Sequence, residues 1–356
     1  MNRRTILILC LLSVLFPAVA ARADEPLGVF ANSNTCCIQF IDPDTQEASA
    51  PYFRGKLGSY GGSLFDAVIT ADGKTCIVSN FGDSKIYFID ISGGFEERPV
   101  LRGNCTVPFF AEDLALSPDG KYVLVSGDFS SSQIAIIHVP TRKLRSVKTI
   151  GNKNAESVAV ASDGTVLVSD NFGQAIHTYA LSADGTLIYK RTYSTKPYYP
   201  FNVSISPNGQ TVLAACCGGI LGFAKKGRVL YRKPAIQFVA KPGQSCVFSK
   251  DGTKAYYLTS STPSGTLVQV LNVTGPGTVT PSGTSISIKP PRGSSQLFGV
   301  DTIAIDPEGD YLYVTNPTLS GGISSVAIVD LTTNTQVDYI KAAGIPTGIA
   351  FTTIPD

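Results

Sequence analysis

The feature that most constrains this chain is a short pattern that returns six times. It is an apolar strand-like run, a tight turn ending in glycine, and then a second strand-like run. It reads Asp66-Ala-Val-Ile-Thr-Ala-Asp-Gly73, Asp113-Leu-Ala-Leu-Ser-Pro-Asp-Gly120 and Ser157-Val-Ala-Val-Ala-Ser-Asp-Gly164. It continues as Asn202-Val-Ser-Ile-Ser-Pro-Asn-Gly209, Ser245-Cys-Val-Phe-Ser-Lys-Asp-Gly252 and Thr302-Ile-Ala-Ile-Asp-Pro-Glu-Gly309. Pro presets φ and Gly accepts a positive φ, so each copy encodes a tight turn between antiparallel strands. The glycines stand 47, 44, 45, 43 and 57 residues apart, which is the length of a four-stranded propeller blade.

A seventh copy is split. Pro346-Thr-Gly-Ile-Ala-Phe351 matches the start of the repeat, and the strands that should follow it lie at the other end, as Leu27-Gly-Val-Phe-Ala-Asn-Ser33 and Cys37-Ile-Gln-Phe-Ile-Asp42. A blade assembled from both ends closes a ring and removes free strand edges. The expected fold is therefore all-β, one seven-bladed propeller of four-stranded antiparallel blades over 24–356. Two separate sandwiches are the alternative, but they leave the split copy unexplained. Large residues (Ile69, Leu116, Val160, Ile205, Phe248, Ile305, Phe351) share one register beside small ones (Ala115, Ala159, Ser204, Ala304, Ala350), as wedge-shaped packing between blades requires.

Residues 1–23 have the form of an export signal: Arg3 and Arg4, an apolar run from Thr5 to Phe16, then Ala21-Arg22-Ala23 before Asp24. The run is too short for a membrane span. The secretory and the twin-arginine routes both remain open for Asn2-Arg3-Arg4-Thr5. Without this segment Lys+Arg falls from 29 to 26 against 27 acids, a net charge of −1, and nothing favours nucleic acid. A periplasmic or secreted monomer without a membrane span is expected.

Tyr311-Leu-Tyr-Val-Thr-Asn316, between Asp306-Pro-Glu-Gly309 and Val326-Ala-Ile-Val-Asp330, resembles the YVTN-type β-propeller repeat. Cys76-Ile-Val-Ser-Asn80, Val123-Leu-Val-Ser-Gly127 and Val166-Leu-Val-Ser-Asp170 are weaker copies. The resemblance spans the mature chain and implies the fold. Its relatives include lactonase-like propellers, amine dehydrogenases, haem d1 proteins and surface proteins without known chemistry.

In such a ring each first strand enters at the mouth of the central channel. Small polar residues stand there: Asp66, Asp113, Ser157, Asn202, Ser245 and Thr302, with Gly348 in the split copy, and Glu112, Glu156 and Asp301 one position earlier. One reading has these side chains bonding free backbone N–H groups where blades meet. The other is an acidic mouth that holds a polar ligand, with Asp66, Glu112, Asp113, Glu156, Asn202 and Asp301 as its contacts. Basic residues in the loops, among them Arg54, Arg102, Lys196 and Arg292, form a candidate rim with Phe109-Phe110 and Tyr198-Tyr199. The acids of the Asp-Gly turns (Asp72, Asp119, Asp163, Asp251) belong on the opposite face.

His138 and His177 are separated in repeat register, which disfavours a His-based triad or metal site. There is no Cys-x-x-Cys-His, and no Trp from which a quinone could be made. No cofactor is expected. Seven cysteines follow the leader, and register pairs Cys216 or Cys217 with Cys246, and Cys36 or Cys37 with Cys105, as staples between neighbouring blades. With a complete structural repeat and no catalytic motif, the favoured role is a non-catalytic binding or scaffolding propeller whose top face takes a protein or small-molecule partner. The alternative is a lactonase-like or other small-molecule hydrolase or redox propeller working through the acids at the mouth.

Overall fold

The computed structural model describes residues 25–58, 62–127, 132–150, 154–259, 266–292, 294, 302–318 and 322–354, apart from the side chains of 238–242 and 354. The leader, Lys153 and Asp301 lie outside the described residues. Every regular element among them is a β-strand, and the strands build antiparallel four-stranded units that recur along the chain. The fold is a β-propeller. No described helix is long and apolar enough to cross a membrane.

The turn chemistry read from the sequence is present in the backbone. Gly73, Gly120, Gly164, Gly209, Gly252 and Gly309 all have φ between +67° and +88°, where a Cβ is strongly disfavoured. The turn acids bond locally. Ser117 Oγ donates to Asp119 at 2.7 Å and Ser249 Oγ to Asp251 at 2.6 Å, and these hydroxyl donors hold both carboxyls below their ordinary range. Asp163 instead meets Lys225 Nζ at 2.7 Å.

The chain ends join as the split copy requires. Glu25–Asn32 lies between Cys37–Asp42 and Pro346–Ile354, antiparallel to both, with Val29 opposite Phe40 and Ala350. Pro346–Ile354 also packs on Leu64–Ile69. A Cβ on Gly348 would stand 2.4 Å from Asp66 Cα and 2.5 Å from Ala67 N. Only glycine lets these strands approach so closely.

One unit is irregular. Thr211–Lys226 is a single 16-residue strand that serves as both second and third strand, bending at Cys217-Gly218, and Val229–Arg232 completes the unit.

Residues alternate across each unit, so neighbouring units enclose separate cores. Val78, Tyr87 and Ile89 face one core while Ile77, Ile86 and Phe88 face the next. This alternation bears on the expected staples, since no disulfide joins the seven cysteines among the described residues. Cys36 lies in the core on one side of the Leu64–Thr106 unit and Cys105 in the core on the other. Cys37 is engaged with Thr35 Oγ1 at 3.2 Å. Cys216 and Cys246 likewise occupy cores on opposite faces of the unit that begins at Pro200, and Cys217 is exposed while Cys246 is buried.

Candidate functional site

The first strands converge on one cavity of about 150 Å³, lined by Phe65, Asp66, Glu112, Asp113, Glu156, Ser157, Phe201, Asn202, Gln244, Ser245, Thr302 and Thr347. Five of the six residues expected at the mouth are brought together here: Asp66, Glu112, Asp113, Glu156 and Asn202. The split copy contributes Thr347, not Gly348, since Gly348 is consumed by the close approach to Asp66.

A backbone irregularity aims the acids. The pairing of Leu64–Ile69 with Thr75–Asn80 slips between Leu64 and Ala67, and matching slips occur between Ala111 and Leu114 and between Ala155 and Ser157. Such bulges redirect side chains and leave an N–H without its ladder partner. A second-strand hydroxyl takes up that donor each time. Asp66 N donates to Ser79 Oγ at 2.9 Å, Asp113 N to Ser126 Oγ at 3.2 Å, Ser157 N to Ser169 Oγ at 2.9 Å and Thr302 N to Thr315 Oγ1 at 2.7 Å. The Ser or Thr of each Val-Ser and Val-Thr repeat is thus a splice for the strand beside it. Ser79 and Ser126 also donate to the carbonyls of Glu112 and Glu156, at 2.5 Å and 3.1 Å, which ties each unit to the next.

The aimed side chains reach sideways as well. Leu114 N donates to Asp66 Oδ2 at 3.0 Å, Val158 N to Asp113 Oδ2 at 2.8 Å and Val203 N to Ser157 Oγ at 3.4 Å. The structural role foreseen for these residues is therefore real, and it leaves chemistry in place. Asp66 and Asp113 stand side by side, and each carboxyl influences the ionisation of the other. Burial, followed by the charge of Asp113, pushes the Asp66 carboxyl well above its ordinary range. Burial raises Asp113 as well, opposed by the Ser157 hydroxyl and the Val158 N–H. Two neighbouring carboxylates disfavour each other's ionised form, so the pair is primed to keep a proton that an isolated aspartate would lose. Beside them Glu112 is 5% exposed, and Asn154 Nδ2 donates to Glu156 Oε2 at 2.5 Å.

Two features of the site escaped the sequence. The first is a run of phenyl rings: Phe65 in the cavity wall stands 6.2 Å from Phe81, which stacks on Phe110 at 4.9 Å and 18°. Phe110 is 47% exposed. The second is a buried His–Asp pair, with His177 Nε2 3.1 Å from Asp170 Oδ2 and Nδ1 2.8 Å from Thr192 Oγ1. Asp170 Oδ1 accepts from the backbone N–H of Asn154, the residue that holds Glu156. The Val-Ser-Asp ending of that repeat was the only sequence signal for it. His138 is apart from the cavity, against Thr141 and the Tyr122 ring.

Phe110 of the expected rim joins the phenyl run, but the basic residues named for the rim do not gather at the mouth. Arg102 belongs to the outer strand Val100–Thr106, paired with Asp90 at 2.6 Å, in a groove shared with Asp72 and Asp119 of the glycine turns. Arg292 lies in a groove along the outer strands Thr278–Ile288 and Thr335–Lys341. Arg54 is exposed and donates to Ala343 O at 3.4 Å. Lys196 is exposed, its carbonyl taken by Arg232. Among the described residues no group of three or more His, Cys, Asp or Glu is arranged to hold a metal ion.

No family model matches the sequence, and neither does any curated protein. Solved structures do match it. A protein of unknown function from Desulfotomaculum acetoxidans is 20% identical with a TM-score of 0.76, over 93% of this chain and 99% of that one. The periplasmic gluconolactonase of Pseudomonas aeruginosa is 14% identical with a TM-score of 0.73, over 93% and 100%. A protein from Bacteroides uniformis described as a proposed 6-phosphogluconolactonase is 14% identical with a TM-score of 0.73, over 92% and 99%. At these identities the likeness establishes the β-propeller fold. The non-catalytic binding or scaffolding role expected from the sequence is nevertheless corrected. Two of these fold relatives carry lactonase names, and they side with the enzymatic alternative.

Proposed function

We propose that this chain is a lactonase-like hydrolase that opens a small lactone at the acidic mouth of a seven-bladed propeller. The observation that carries the reading is the Asp66–Asp113 pair, two neighbouring carboxyls in one cavity wall, both raised above their ordinary range by burial. Paired groups whose environments separate their protonation states are suited to acid and base roles in one reaction. The ionised carboxylate, Asp113, takes a proton from water as the water oxygen bonds to the lactone carbonyl carbon. The ring C–O bond then breaks, and the leaving oxygen takes the proton held by Asp66. The product is the open hydroxy acid. Glu156, fixed by Asn154, and Asn202 position the substrate.

The finer architecture belongs to the same proposal. First strands pack in sequence from Leu64–Ile69 through Ala111–Leu116, Ala155–Val160, Pro200–Ile205, Ile236–Phe248 and Ile303–Ile305 to Pro346–Ile354, which returns to Leu64–Ile69. That cyclic order supports seven blades in one closed ring over 24–356. The splicing role of Thr315, Ser79 and Ser126 supports the YVTN-type repeat. The leader-like residues 1–23 and the periplasmic location of one fold relative support export to the periplasm or beyond.

The test is turnover of a panel of γ- and δ-lactones by the purified protein, with and without added divalent metal, followed by pH-stat titration. Hydrolysis above the buffer rate is the expected result. A folded protein that turns over none of the panel in either condition removes the proposal.

A further inference from the structure

We infer that the substrate is a non-phosphorylated lactone bearing an apolar, aryl-type substituent, with the lactone ring in the cavity and the substituent along Phe65, Phe81 and Phe110; this rests on the lactonase reading. Size is the first argument. A cavity of about 150 Å³ accommodates one small ring, since an engineered cavity of about that size takes up benzene. Any larger substrate must extend out of the mouth.

The second argument is what waits there. The three rings lead without interruption from the cavity wall at Phe65 to the exposed face of Phe110. Phe81 and Phe110 are nearly parallel, 18° apart, so the outer ring presents a flat apolar face that a further aromatic group can join by offset stacking. Phe201 supplies a second phenyl ring to the cavity.

Charge is the third argument. Four carboxyl side chains line the cavity, and no described Lys or Arg does. An anionic phosphate brought to this mouth meets like charge in a site that focuses the field. Among the described residues, Arg102 sits on Asp90 and Arg292 between outer strands, away from the cavity. A neutral, partly aromatic molecule meets no such barrier.

Binding and turnover are measured separately. The binding probes are three hydrolysis-resistant lactams: an unsubstituted δ-lactam, its phenyl-substituted analogue, and its phosphate-bearing analogue. The turnover probes are the corresponding lactones. The phenyl lactam is expected to bind about tenfold more tightly than the unsubstituted one, the gain of one good ring contact. The phosphorylated lactam is expected to bind more weakly than either. Phe110→Ala should narrow the tenfold ratio to about twofold, and Phe110→Trp should keep or widen it. Equal binding of phenyl and unsubstituted lactams, a ratio unmoved by Phe110→Ala, or preferred turnover of the phosphorylated lactone overturns the inference. If lactones are hydrolysed without phenyl preference, the hydrolase reading stands and the substrate class falls. If the phenyl lactam binds in a Phe110-dependent way and no lactone is hydrolysed, the hydrolase reading falls and with it the assignment of the ring as a lactone.

Discussion

Replacing Asp66 by Asn should stabilise the protein at neutral pH, whereas replacing it by Ala should destabilise it in acid. In the native state Asp66 accepts the Leu114 N–H, and burial followed by the charge of Asp113 raises its pKa. In the unfolded chain it ionises like any exposed aspartate, near about pH 4. The folded-state pKa is raised, so the stability Asp66 contributes is complete in acid and is lost as pH rises through that folded value. Each pH unit over which the native state holds the extra proton costs about 1.4 kcal/mol. Asn mimics the protonated acid. Its Oδ1 accepts from Leu114 and its Nδ2 donates to Asp113, with no proton to retain. The Asn variant should match the wild type near about pH 4 and gain on it by up to about 1.4 kcal/mol per pH unit above that. Asp66→Ala strands the buried Leu114 N–H, at a cost of about 1–3 kcal/mol in acid. Denaturant midpoints followed by circular dichroism from about pH 4 to about pH 8 read both effects across the span where carboxyls titrate. An Asn–wild-type difference that stays flat across this range, or an Asn variant less stable than wild type at neutral pH, refutes the raised Asp66 pKa.

Three other outcomes follow from particular contacts. Gly348→Ala forces a Cβ to within 2.5 Å of backbone at Asp66 and Ala67 and should cost about 2–4 kcal/mol, more than ordinary overpacking, seen as a lowered thermal midpoint. Ser79→Ala removes the acceptor of the Asp66 N–H and the donor to Glu112 O and should cost about 1–3 kcal/mol; a change within error contradicts the splice. His177→Phe leaves Asp170 and Thr192 without their ring partner and should lower stability by about 1–3 kcal/mol, checked by the same denaturant titration.

Much of the fold was legible because its determinants are local. The Pro-Asp-Gly turns fix φ at single residues, and the end-to-end pairing follows from one incomplete copy of the repeat. Asp66, Asp113, Ser157 and Asn202 were found by register alone, since the bulge that aims them recurs at the same place. What failed depends on the face a residue takes. Arg102 was read as a loop residue because Val100–Thr106 alternates exposed and half-buried positions around Gly103, with little apolar signal. The cysteine staples assumed nearness without asking which core each thiol enters, and Cys216 and Cys246 sit on opposite faces of one unit. The phenyl run joins residues from a first strand, a strand-connecting loop and an inter-unit loop, so no spacing in the sequence announces it.

The proposed hydrolysis turns on Asp113. On the best lactone from the panel, kcat/KM of Asp113→Asn is to be compared with wild type at the same pH, with folding verified by circular dichroism. Asn can still accept the Val158 N–H, so the fold should persist, while the loss of the carboxylate base should lower the rate by about 10²–10⁴-fold. A folded Asp113→Asn protein that hydrolyses the lactone as fast as wild type contradicts the assignment of this pair as the catalytic centre.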